Sequence, residues 1–176
     1  MFQNTFTAEN GEGLIALTSS FPGEIRALEV QSGKGYIIQK GVYLASQPGV
    51  VLETYLQKKL AAGLFGGEGF VMSRLSGEGI VFLEIDGSVV EYDLDEGEQI
   101  VVSTGYVAAM DESCTMELLS IKGVKNVLFG GEHLFNTVVT GPGRVFLQTM
   151  PLIGVAHALR PYMPSGGDIN IDTSGD

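Results

Sequence analysis

Leu64-Phe65-Gly66-Gly67-Glu68 recurs as Leu128-Phe129-Gly130-Gly131-Glu132, and Gly77-Glu78-Gly79-Ile80-Val81-Phe82-Leu83 recurs as Gly141-Pro142-Gly143-Arg144-Val145-Phe146-Leu147. Both pairs stand 64 residues apart with no gap between them. At the same offset Gly23 meets Gly87, Gly33 meets Gly97, Gly41 meets Gly105 and Ala45 meets Ala109. A period of this length marks a duplicated supersecondary unit whose copies bury a core by packing together. We read one β-domain over residues 1–164, with repeats at 23–86 and 87–150. A partial unit is expected over 1–22, because Gly11-Glu12-Gly13-Leu14-Ile15-Ala16-Leu17 resembles Gly77 to Leu83.

Within each unit the texture is that of short strands between turn residues. Glu24–Val30 matches Ser88–Leu94, Val50–Leu56 matches Cys114–Leu119, and Phe70–Leu75 matches Leu134–Val139. The 25 glycines fit frequent tight turns. Asp86-Gly87 predicts a hairpin between two β-prone runs. Gln57–Ala62 predicts at most one helical turn. Leu152, Val155, Ala156 and Leu159 predict a short amphipathic helix over 151–160. Residues 165–176 read as a flexible tail. The fold class is all-β: repeated β-units forming a double-stranded β-helix-like or β-sandwich barrel, with one short C-terminal helix.

Twenty-one acids against ten bases leave a net charge of −11. That field repels phosphate backbones, so nucleic-acid partners are not expected. One cysteine forbids an intrachain disulfide and suits a reducing compartment. Met1-Phe2-Gln3-Asn4 has neither a basic n-region nor an apolar h-region, so no secretory signal is expected, and no apolar run reaches the roughly 18 residues a transmembrane helix needs. A cytoplasmic location is expected.

Chemistry is sought in features that occur in one copy only, because the fold requires the others. Leu-Phe-Gly-Gly-Glu occurs twice, so Gly66, Gly67, Glu68, Gly130, Gly131 and Glu132 read as structural turns. No Lys-Ser/Thr follows either motif, as a phosphate loop would require. The acids Glu84, Asp86, Glu91, Asp93, Asp95, Glu96 and Glu98 match no calcium-loop spacing and read as a solvated face. His133 replaces Gly69 of the other copy and is a weak ligand candidate. His157 reads as solvent-facing and Cys114 as core. No catalytic constellation, metal site or cofactor site emerges.

Gln57–Phe70, Val89-Val90-Glu91-Tyr92-Asp93-Leu94 and Val127–Glu132 resemble the AIM24 family over Phe2 to about Tyr162. The resemblance implies a β-rich fold in the superfamily of the tryptophan RNA-binding attenuation protein. Mitochondrial relatives are associated with inner-membrane organisation, so only peripheral membrane contact would follow by analogy. Members usually carry a further front portion with another Leu-x-Gly-Gly-Glu-like turn, so closure by one chain is not expected here. The resulting expectation is a non-enzymatic assembly or scaffold protein that associates with itself or a protein partner through open sheet edges. The alternative is a small-ligand or metal-binding β-module using His133, Glu132 and Glu68.

Overall fold

Runs of β-branched and aliphatic residues punctuated by glycine and acidic turns form strands, as their composition requires. The computed structural model describes residues 3–58, 70–120 and 135–163. The first half supplies β1 (Gly23–Val30), β2 (Tyr36–Gln39), β3 (Tyr43–Ser46), β4 (Val50–Lys58), β5 (Phe70–Gly77) and β6 (Gly79–Asp86). The second supplies β7 (Val89–Leu94), β8 (Gln99–Ser103), β9 (Val107–Asp111), β10 (Thr115–Ser120), β11 (Phe135–Thr140) and β12 (Gly143–Gln148). One helix, α1 (Leu152–Leu159), follows. The fold is all-β, and its ladders are antiparallel.

The repeat in the sequence is a repeat of ladders. Ile25 faces Glu84 across β1–β6, and Val89 faces Gln148 across β7–β12. Tyr36 faces Leu75 across β2–β5, and Ile100 faces Val139 across β8–β11. Val51 faces Ser76 across β4–β5, and Thr115 faces Thr140 across β10–β11. Ala45 faces Phe82 and Ala109 faces Phe146, each beside the same register slip. Each second pair is the first moved 64 residues along the chain. Each half is therefore two three-stranded ladders, ordered 1-6-3 and 4-5-2 in the first copy's numbering.

One further ladder joins the halves. β2 pairs with β9, setting Tyr36 opposite Asp111, Ile37 opposite Met110 and Ile38 opposite Ala109. That seam fuses two ladders into a six-stranded sheet of order β4-β5-β2-β9-β12-β7. Sheets β1-β6-β3 and β10-β11-β8 remain three-stranded. The two core clusters explain why the central strands are continuously apolar. Tyr36 and Ile38 pack with Val30, Leu75, Val81, Leu83, Ile85, Ala109 and Phe146. Ile37 points the other way, to Met72, Leu94, Val107, Met110, Cys114, Val139 and Val145. A strand with both faces covered cannot alternate with polar residues. Burying Ile37 and Ile38 contributes about 1.5–3 kcal/mol each.

Three expectations need correction or qualification. Asp86-Gly87 does turn, with Gly87 at φ 74°, but β6 and β7 do not pair with each other. The turn carries the chain between sheets instead, held by Gly87 N–H donating to the Pro22 carbonyl and Met150 N–H to that of Asp86. The α1 helix forms where periodicity places it, yet Leu152 and Leu159 stay about half exposed. Its packing is anchored by buried Pro151, with Ile153, Gly154 and Val155 half-buried. Gly11–Leu17 forms no strand, and Leu14 is fully exposed. A strand needs neighbours to satisfy its backbone, and here this segment has no ladder partner among the described residues.

Candidate functional site

One set of residues found in one copy only lies at the seam. Tyr36, Asp111 and Arg144 meet there, whereas their counterparts at the 64-residue offset are Ile100, Gln47 and Ile80. The ladder explains the meeting. Pairing of β2 with β9 places Tyr36 opposite Asp111, and the β9–β12 ladder sets Met110 opposite Val145, the residue after Arg144.

Asp111 accepts three hydrogen bonds from Arg144: from the backbone N–H (3.0 Å) and Nε (3.2 Å) at Oδ2, and from Nη2 (3.1 Å) at Oδ1. Such a bidentate pair is the strong form of an arginine–carboxylate contact. The same Nη2 donates to the Tyr36 hydroxyl at 3.1 Å, and that hydroxyl donates to the Glu29 carbonyl at 3.3 Å. The guanidinium lies 5.4 Å from the Phe146 ring centre and 6.0 Å from that of Tyr36. The hydrogen bond to Asp111 raises the Arg144 pKa above its ordinary value, against the opposing effect of burial. This arginine is a fixed cation, not a proton donor.

A second pair crosses the same seam. Arg74 Nε of β5 lies 3.1 Å from Glu112 Oε1, and its guanidinium sits 5.3 Å from the Tyr55 ring centre. Beside these pairs opens a cleft of about 890 Å³. Its walls include Lys34, Tyr36, Asp111, Glu112, Ser113 and Arg144. The lining carries both charge signs, with Arg144 already engaged by Asp111. The arrangement clasps two halves together and leaves a polar groove beside the clasp.

Cys114, which follows Ser113 of the groove wall, is buried, with Sγ donating to the Pro142 carbonyl at 3.5 Å. Burial, and then the charge of Asp111, push its thiol pKa up, so it is poor material for a nucleophile. Three acids of the charge run accept backbone N–H groups. Glu84 accepts from the Ser20 backbone N–H at 2.7 Å, Asp86 from that of Leu152 at 2.8 Å, and Glu98 from that of Asp95 at 2.9 Å. No group of three His, Cys, Asp or Glu side chains suited to a metal occurs among the described residues. Gly66, Gly67, Glu68, Gly130, Gly131, Glu132 and His133 lie outside the described residues, as does the side chain of His157. Among the described residues no helix is long and apolar enough to cross a membrane.

Comparison with known proteins follows the architecture. An uncharacterised protein of Streptococcus pyogenes serotype M6 is 28% identical over 166 residues, covering 93% of this chain and 65% of that one. The crystal structure of a Streptococcus pyogenes protein matches with a TM-score of 0.69 at 23% identity, covering 82% of this chain and 62% of that one. The chain thus spans a little under two thirds of the length of either protein. Residues 1–150 match the family described as mitochondrial biogenesis AIM24. The chain belongs to the AIM24 family.

Proposed function

We propose that this chain is a non-enzymatic assembly module of the cytoplasm, working by self-association or by binding a protein partner through its sheet edges. The observation that carries this reading is the direction of the seam. β2 of the first half pairs with β9, the counterpart of β3, in the second. The reciprocal ladder, β8 with β3, is not formed, and among the described residues each of those strands has a partner on one side only. A contact of this head-to-tail kind leaves a complementary pair of ends. Open strand edges of this sort recruit another chain. Light scattering at micromolar concentration is expected to give a mass above the 18.7 kDa of one chain. A mass of one chain across that range overturns the reading.

The cleft beside Arg144 favours a second reading, a small-ligand module, through its size and its cluster of polar groups at one seam. Native mass spectrometry of the purified chain tests it. A stoichiometric added mass that Arg144→Met abolishes supports this reading, and a bare polypeptide mass overturns it.

A further inference from the structure

We infer that the partner at these edges is a second copy of this chain, seated with its β8 along β3 in the register of the β2–β9 seam. The inference rests on the assembly reading above and adds the identity of the partner and the alignment of the strands.

The internal repeat supplies the template. Moving the seam by 64 residues, forward on one strand and back on the other, turns Tyr36–Asp111 into Ile100–Gln47. It likewise turns Ile37–Met110 into Val101–Ser46, and Ile38–Ala109 into Val102–Ala45. The side chains at these places behave as the two states of one contact. Ile37, inside the seam, is 1% exposed, while Val101, its counterpart on β8, is 57% exposed. Phe146 is 2% exposed beneath the neighbouring half's sheet, while its counterpart Phe82 is 37% exposed. On the facing strands, Val107 to Met110 are wholly buried, while Tyr43 to Ser46 are only partly so. Each half thus retains on its open side the apolar residues that its sibling buries. Covering Val101 and Phe82 is the same hydrophobic transfer that already stabilises the seam.

Two features set limits on the copy. The seam also has the Glu112 N–H donating to the Gly35 carbonyl at 3.0 Å, and Pro48 at the place of Glu112 has no N–H to give. The Tyr36–Asp111–Arg144 clasp has no counterpart at Ile100, Gln47 and Ile80. The contact between copies is therefore weaker than the one within the chain, and reversible. Being head-to-tail, it closes two or more copies into a ring or extends them as a filament.

Cysteine pairing reads the register directly, because facing residues of an antiparallel pair fall within disulfide range. Two full-length single variants, Ser46→Cys and Val101→Cys, are oxidised separately and then as a mixture, with buried Cys114 retained in both. The expected result is a mixed disulfide dimer in the mixture and none from either variant alone. Pairing Ser46→Cys with Val102→Cys, one residue out of register, is expected to cross-link at least tenfold less. Val101→Glu and Phe82→Glu are each expected to weaken self-association at least tenfold while the β-sheet circular dichroism is kept. If the wild type is oligomeric yet the mixture gives no mixed disulfide, this inference is overturned and the assembly reading stands. Homotypic disulfides from either single variant overturn it likewise. A one-chain mass for the wild type overturns both.

Discussion

Arg144 and Tyr36, one from each half of the repeat, meet at 3.1 Å across the seam, and the arginine is at the same time gripped by both carboxylate oxygens of Asp111. Removing the grip exposes its worth. Asp111→Ala leaves the Arg144 backbone N–H and guanidinium without their acceptor, at a cost of about 1–2 kcal/mol after allowing for solvent screening of the half-exposed arginine. For a chain of this size that lowers the melting temperature by roughly 2–8 °C, measured by calorimetry. Tyr36→Phe removes only the hydroxyl and is expected to cost about 1 kcal/mol.

Ile37 packs against Met72 of one half and Val107, Met110 and Val139 of the other, so its loss is felt in both halves. Ile37→Ala is expected to cost about 2–5 kcal/mol. Because β2 and β9 belong to one continuous sheet, the described halves melt as one unit. A single calorimetric transition, in the wild type and in this variant, is the expected trace. Two resolved transitions would mean the seam does not couple the halves.

Cys114 predicts a pH dependence. Its thiol pKa is raised in the folded protein, so at alkaline pH the unfolded chain loses this proton more readily than the folded one. The contribution is fully present below the ordinary thiol range, near 8.5, and is lost as pH rises through the folded value. Denaturant melts between pH 7 and 10 are expected to show stability falling above about pH 8.5, with a shallower fall in Cys114→Ala. Native alkylation of this thiol at pH 8 is expected to be slow until denaturant is added.

Two glycines separate backbone strain from crowding. Gly33 has φ 76° with open space where a side chain would stand, so Gly33→Ala carries conformational strain alone, about 1–2 kcal/mol. Gly77 has φ 91°, and an added Cβ would collide with the Gly49 carbonyl oxygen that faces it. Gly77→Ala is expected to cost clearly more, and chemical denaturation of the two variants side by side checks the order.

The 64-residue offset made the strands legible, since each turn glycine and apolar run of one copy vouches for its counterpart. What it could not convey is which strand lies beside which. Asp86-Gly87 carries a hairpin's residues, yet the chain crosses there to another sheet, because turn chemistry is local and pairing is not. The Leu152–Leu159 periodicity likewise gave a helix but not the side it buries. The clasp of Tyr36, Asp111 and Arg144 leaves a trace in the sequence without being assembled by it: Ile100, Gln47 and Ile80 at the matching places mark it as unshared. Its members lie up to 108 residues apart and become neighbours only through the β2–β9 ladder.

The one-way character of that ladder gives the chain a polarity. A gene that gained or lost one repeat would still encode the same leading edge and the same trailing edge, so copy number can drift over evolution with no interface invented afresh. Family members of different length would then be read as different tallies of a common brick.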